Sequence, residues 1–218
     1  MEELLTKKTH TVVYVMQIPP QTDVFLPLFP DERQKQVANV SNADVKAQKY
    51  HAWRLLCYAL QKYVGVPVEQ IIFSVTGQKW TCAECNFSLS HTNGYVAVGL
   101  SALPVGVDVE CVSPRFTPKL LERIACSEER DVFPSEGNIA ALWTAKEAAF
   151  KQISDGTCAF IPSKLPVNGA GVSVYKIDSL VVSVATPSPI DLFFVHSDSN
   201  GNYLERSVSA TKVDVFKH

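Results

Sequence analysis

Two carboxylates on one face of a single strand open the chemistry of this chain. In VGVDVE, residues 105–110, alternation along an extended strand sends Val105, Val107 and Val109 one way and Gly106, Asp108 and Glu110 the other. Asp108 and Glu110 then stand roughly 7 Å apart at the backbone, near enough to share one cation. Further along, Trp143, Glu147 and Lys151 fall at i, i+4 and i+8, which stacks them along one face of a helix. Asp108, Glu110 and Glu147 together offer three hard oxygen donors with room left for water and phosphate oxygens, the set that magnesium takes. Lys151, one turn beyond Glu147, is placed to neutralise a phosphate on that metal. Taken singly, the strand reads as an ordinary half-exposed strand with a polar face. The helix alone reads as a solvated helix with an i,i+4 ion pair worth only ~0.3–0.5 kcal/mol. The conjunction is what points to a site.

A third element supplies anion donors. Lys79 follows the turn glycine of GQKW, and Ser90-His91 closes a strand that enters an Asn93-Gly94 turn. Arg54 sits beside Trp53 on a long helix. In isolation His91 is equally a satisfied turn residue and Arg54 a surface arginine lying on its own stem. Cys82-Ala-Glu-Cys85 is half a zinc site, and no second Cys/His pair at finger-like spacing follows it. It reads as an incidental loop pair, with a zinc-linked interaction module as the competing interpretation.

These residues need a scaffold. Residues 11–18 are β-branched and read as a first strand. A proline-broken stretch from Pro19 enters a helix near Asp31, and residues 44–64 carry Trp53, Leu56, Cys57, Leu60 and Val64 at helical spacing, with Gly65 at the stop. Strands are expected over 70–77, 87–91, 95–101 and 105–110. Helices are expected over 117–133 and 138–154, the second capped by Asn138 and stopped at Asp155-Gly156. Strands return over 172–177, 180–186, 192–197 and 213–216, with a turn near 197–202. Helices and strands are segregated, which gives an α+β class with a boundary near 101–105.

The 218 residues are 46% hydrophobic and 19% charged, ample for a buried core and unlike a disordered chain. A net charge of −2 and a pI of about 6.2 lack the basic footprint of a nucleic-acid binder. No stretch approaches the ~20 apolar residues of a membrane span. The N-terminus has no signal-peptide core, and the six cysteines are too sparse for a disulfide scaffold. The expectation is a soluble, cytoplasmic protein with its thiols reduced.

Gly106-Val-Asp108-Val-Glu110 followed by Trp143-Thr-Ala-Lys146-Glu147-Ala-Ala-Phe-Lys151 resembles the paired signature of the 4′-phosphopantetheinyl transferases. Chain length resembles the larger monomeric branch, typified by the activator of surfactin synthetase, and the likeness runs from about residue 30 to 186. The resemblance implies two similar α+β halves, 1–103 and 104–218, related by a pseudo-twofold axis with coenzyme A between them. It implies a magnesium-dependent enzyme that moves phosphopantetheine from coenzyme A to a serine of an acyl or peptidyl carrier protein. By the same carry-over, Asp108, Glu110 and Glu147 hold Mg2+; Arg54, Lys79, Ser90 and His91 hold the 3′-phosphate and adenine end; Lys151 meets the pyrophosphate. Glu147, or a water on the metal, takes the serine proton. A weakly catalytic homologue that binds coenzyme A or the carrier is the alternative. It is motivated by Glu32, which stands in PDERQK where the family often has lysine and leaves only Lys35, with Lys49 as a possible substitute. The acidic residue of the SEER segment is Glu128 or Glu129, and the tail beyond about 190 has no assigned role.

Overall fold

The computed structural model describes residues 9–20, 26, 29–130, 135–167, 171–197, 203–207 and 211–213. It is α+β: helices α1 (Asp31–Ala38), α2 (Ala43–Val64), α3 (Pro118–Ile124) and α4 (Glu136–Ile153), with strands from β1 (Thr11–Gln17) onward. β2 (Phe73–Thr76) and β3 (Lys79–Cys82) form a hairpin. β4 (Asn86–Thr92) and β5 (Tyr95–Ser101) join β1 in a five-stranded sheet. β6 (Gly106–Cys111), β7 (Val172–Ile177) and β8 (Leu180–Ala185) belong to a second sheet of four. The last strands are β9 (Ile190–Ser197), β10 (Tyr203–Ser207) and β11 (Thr211–Val213).

Strand order is β10-β9-β1-β5-β4 in the first sheet and β11-β7-β8-β6 in the second. β1 shows why the sheets stack. Its first six residues are all buried, because both faces are covered. Val12, Tyr14 and Met16 pack with Trp53, Leu56 and Leu60 of α2, while Val13 and Val15 meet Val107, Val109, Val182 and Val184 of the second sheet. The outer face of the second sheet, through Val174 and Val181, packs on Ile139, Leu142 and Ala145 of α4. The layers therefore run α2, first sheet, second sheet, α4. The edge strands β4 and β6 come together across a seam: Ser88 Oγ accepts from Val107 N at 3.0 Å and Ser90 Oγ from Val109 N at 3.2 Å.

Several boundaries differ from expectation. The helix expected over 117–133 stops at Ile124, because Ala125 and Cys126 turn extended and a 3₁₀ turn, Ser127–Glu129, follows; residues 131–133 lie outside the described part. The turn is held by Glu129, whose carboxylate reaches back to Cys126 N at 2.8 Å. α4 is capped by Ser135, which accepts from Asn138 N, so the helix begins two residues before the expected cap. The strand expected over 70–77 is shorter, since Val68–Gln70 is a 3₁₀ turn and Gly77, at φ +57°, reverses the chain into β3. β9 starts at Ile190 and runs parallel to β1, so the chain returns to the first sheet after completing β8. β10 was not anticipated; the turn expected near 197–202 and residues 214–216 fall largely outside the described residues.

The approach of β6 to α4 is set by Gly106. A Cβ there would collide with the carbonyl of Ala148 and lie 2.7 Å from Gln152 N. Neither is a side-chain end that can rotate away. Gly106→Ala is therefore expected to cost about 1–3 kcal/mol, lowering the melting temperature by roughly 2–12 °C. A thermal melt checks this, and an unchanged midpoint contradicts the packing described.

Candidate active site

A cavity of about 1030 Å³ opens along the seam between β4 and β6. α1 and α2 contribute Arg33, Gln36 and Lys49, and the β2–β3 hairpin contributes Gly77, Lys79 and Trp80. β4 brings Ser90 and His91; β6 brings Asp108 and Glu110; α4 brings Glu147, Phe150 and Lys151. Strand alternation turns Asp108 and Glu110 away from the valine core, as the sequence predicts, and helix spacing brings Glu147 and Lys151 up to meet them.

At the acidic end, Asp108 is buried and its Oδ1 accepts from Lys151 Nζ at 2.6 Å and Ser90 Oγ at 2.7 Å. Lys151 Nζ also lies 3.3 Å from Val107 O and 3.4 Å from Glu147 Oε2. Glu110 Oε2 accepts from Thr92 Oγ1 at 2.6 Å, and its Oε1 is paired with Arg115. Burial, with Asp108 close by, pushes the Glu147 carboxyl up to about 7, and burial also raises Glu110.

The residues fit a divalent cation. The donors are carboxylate oxygens, the chemistry a hard cation requires. Asp108 Oδ2 is buried with no hydrogen-bond partner among the described residues, which leaves it an acceptor for a ligand. The mutual repulsion felt by Glu147 is of the kind a bound cation relieves. Among the described residues, however, no three His, Cys, Asp or Glu side chains are gathered closely enough to hold a metal by themselves.

The opposite wall is cationic. Arg33 is buried, its guanidinium 5.1 Å from the Trp53 ring centre, donating to Lys49 O at 2.8 Å and Gln36 Oε1 at 3.2 Å. Burial lowers its pKa to about 10, and its Nε has no hydrogen-bond partner among the described residues. His91 is exposed at the rim of the cavity, yet its surroundings desolvate the ring, and Lys151, Arg33 and Lys49 repel a proton from it. Its pKa falls to about 4, so the ring is neutral near pH 7. Lys79 Nζ donates to Ser154 O, tying the hairpin to the end of α4. There Gly77 and Gly156, both at positive φ, touch backbone to backbone.

Thus Lys79, Ser90, His91, Asp108, Glu110, Glu147 and Lys151 line one cavity. Arg54 does not line it. Its guanidinium lies 5.8 Å from the Tyr50 ring and 5.6 Å from that of Tyr203. At about 100° per residue, Arg54 points about 140° round the helix from Lys49, away from the cavity. Trp143 shares the predicted face but stays outside the cavity lining, edge-on to Phe160 at 5.8 Å, and it is Phe160 that reaches the cavity. Arg33 is not among the residues the sequence singles out. Family-like lysines in PDERQK point to Glu32 and Lys35, whereas the i,i+4 pair Arg33 and Val37 marks the buried face of α1.

Lys146, inside the same signature, points into the protein. It is fully buried, paired with Glu129 at 2.7 Å, and donates to Leu165 O at 2.6 Å and Pro162 O at 3.0 Å. Glu129, not Glu128, is therefore the structural acid of the SEER segment. Cys82, at the end of β3, and Cys85, on the turn to β4, are free thiols, with Cys82 Sγ 3.5 Å from Cys85 O.

Residues 104–203 match the model of the 4′-phosphopantetheinyl transferase superfamily. The chain is 25% identical over 175 residues to the 4′-phosphopantetheinyl transferase gsp of Aneurinibacillus migulanus, covering 74% of this chain and 69% of that protein. It is 30% identical over 112 residues to the 4′-phosphopantetheinyl transferase psf-1 of Bacillus pumilus, covering 47% of this chain and 48% of that one. The superfamily match includes Asp108, Glu110, Glu147 and Lys151; Arg33, Lys49, Lys79, Ser90 and His91 lie before it.

Two stability measurements follow. The folded-state pKa of Glu147 lies above its ordinary 4.5, so between about 4.5 and 7 the folded protein keeps a proton that the unfolded chain has released. That contribution to stability is lost as pH rises through this window. Glu147→Gln is expected to melt with the wild type near pH 5 and a few degrees above it at pH 8; identical pH profiles contradict this. Lys146→Met leaves Glu129 buried and unpaired, at a cost of about 3–5 kcal/mol in denaturant unfolding.

Proposed function

We propose that this chain, whose residues 104–203 match the 4′-phosphopantetheinyl transferase superfamily model, belongs to that superfamily and transfers the 4′-phosphopantetheine group of coenzyme A to a serine of an apo acyl or peptidyl carrier protein. The observation that carries the proposal is the cavity with two electrical poles. Asp108, Glu110, Glu147 and Lys151 stand at one end and Arg33 and Lys49 line the other side, which suits a ligand with a pyrophosphate and a separate phosphate.

On this reading Arg33, Lys49, Lys79 and His91 receive the 3′-phosphate and adenine end, with neutral His91 acting as a hydrogen-bond partner. Ser90 acts through Asp108, to which it already donates. Arg54 is given no part. Asp108, Glu110 and Glu147 would hold Mg2+, which when bound supplies charge stabilisation to the phosphoryl oxygens. Lys151 compensates charge on the pyrophosphate. The serine oxygen attacks the phosphorus next to the pantetheine arm. The bond from that phosphorus to the bridging oxygen breaks, and adenosine 3′,5′-bisphosphate leaves. Glu147, or a water beside it, takes the serine proton. Most of the rate enhancement is then positional and electrostatic.

We also read 1–103 and 104–218 as halves related by a pseudo-twofold axis. The strand orders β1-β5-β4 and β6-β8-β7 support this, each a strand, a helix-containing crossover and an antiparallel pair. In this reading β9 and β10 are an exchange of the second half onto the sheet of the first. A cavity assembled from one chain supports action as a monomer, and six free cysteines support a reducing, cytoplasmic setting. The alternative of a binder without turnover rests on Glu32, whereas Arg33 and Lys49 supply cations to the cavity wall.

The test is a panel of apo carrier proteins incubated with coenzyme A and Mg2+ and read by intact mass for the gain of one phosphopantetheine. Asp108→Ala and Glu147→Ala are expected to lower the rate by at least ~100-fold, and chelation of the metal to abolish it. Folded variants that keep full activity would falsify the assignment of these carboxylates.

A further inference from the structure

The lysine at the acidic pole sits where a cation belongs. Lys151 Nζ is 2.6 Å from Asp108 Oδ1, 3.4 Å from Glu147 Oε2 and 3.3 Å from Val107 O. These contacts come from α4 and β6 alike, so the ammonium bridges the two elements that a divalent cation would bridge. Its neighbours are also provided for. Glu110 has its own counter-charge in Arg115 and a hydrogen bond from Thr92, and Ser90 donates to the same Asp108 oxygen as Lys151. Only Asp108 Oδ2 is buried and unpartnered among the carboxylate oxygens of this group. A metal that used Asp108 and Glu147 together would face an ammonium already between them, and like charges exclude one another at that range.

Lys151 is nevertheless able to move. Its side chain is 28% exposed, against 4% for Asp108, and a four-carbon lysine stem has the flexibility to swing its ammonium. The direction open to it is the cavity, where an incoming pyrophosphate would offer it a new anion. We propose that Lys151 is an internal counter-cation that keeps divalent metal out of the Asp108–Glu147 site until a pyrophosphate draws its ammonium away, so that metal and coenzyme A load together. This rests on the coenzyme A reading above and specifies how its site fills. Because coupling between two ligands is reciprocal, whatever factor coenzyme A adds to metal affinity the metal adds to coenzyme A affinity.

The experiment measures Mn2+ binding to the purified full chain by loss of the free-ion electron paramagnetic resonance signal, with and without coenzyme A, and circular dichroism verifies folding. Wild type is expected to bind Mn2+ weakly alone. Lys151→Gln is expected to bind Mn2+ alone at least ~10-fold more tightly, within the usual 5- to 150-fold range of coupling between sites. Coenzyme A should then raise the metal affinity of Lys151→Gln by a smaller factor than that of wild type. Lys49→Gln removes the same charge from the other wall and is expected to leave Mn2+ affinity within about 3-fold of wild type. If it tightens binding as much as Lys151→Gln, the effect is general charge and the proposal is overturned. If Lys151→Gln binds Mn2+ no more tightly than wild type, while wild type with coenzyme A binds it well, the role of Lys151 falls and the transferase reading stands. If wild type takes up no Mn2+ beyond what coenzyme A binds by itself, the transferase reading falls. Should Lys151→Gln not fold, Lys151→Arg decides. Its guanidinium grips both carboxylates harder, so Mn2+ affinity with coenzyme A should drop by about 10-fold, and an unchanged affinity overturns the proposal.

Discussion

The contact on which the site depends is backbone against backbone, where β6 meets α4 at Gly106. The absence of a side chain lets the strand lie on the carbonyl of Ala148 and the amide of Gln152. The helix answers with small residues: Ala140, Ala141, Ala145, Ala148 and Ala149 are all buried. Two residues past the glycine, strand alternation delivers Asp108 to the helix, and one helical turn separates the two side chains that meet it, Glu147 and Lys151. A strand held one side chain further off would still fold as a sheet, but its carboxylate would no longer reach both. The glycine of the G-V-D segment is thus a distance requirement and not a turn.

Close packing of alanines buries little area, so the helix needs another anchor. Lys146 provides it from the opposite side of the same turn. Its pairing with Glu129 and the carbonyls of Pro162 and Leu165 fastens α4 to the 3₁₀ turn and to the 162–165 segment. A buried pair of this kind adds little net stability over a packed apolar core but leaves a large deficit if one partner is lost. Adjacent residues in the signature therefore divide the labour, Lys146 fixing the helix inside and Glu147 facing the cavity.

The cavity itself is a place where the fold tolerates unfavourable electrostatics. Glu147 is pushed up to about 7, His91 down to about 4 and Arg33 down to about 10, each shifted toward its neutral form. Burial dominates all three shifts, and like charges across the cavity add to those of Glu147 and His91. Such clustering marks functional sites more often than structural ones. It is consistent with a surface prepared for a ligand that carries both a polyanion and a cation.

Much of this was legible in the sequence because it is local. The period of α2 is carried by Trp53, Leu56 and Leu60, and the faces of β6 and α4 follow from spacing alone. What was not legible depends on docking. Arg33 is buried because the short α1 lies on Trp53, and Val37, one turn on, is the single buried apolar signal within that helix. Arg54, on a helix that was correctly read, points the wrong way because the cavity lies on the Lys49 side. β3, with the four residues KWTC, has no apolar alternation of its own, and its partner β2 defines it. β9 joins β1 in parallel across about 180 residues of sequence, a pairing no local pattern reports. The most direct test is anomalous scattering from Mn2+ in crystals grown with coenzyme A. One metal peak is expected, bound by carboxylate oxygens of Asp108, Glu110 and Glu147 and by the pyrophosphate; a metal bound away from Asp108 or Glu147, or coenzyme A seated outside this seam, would contradict the assignment.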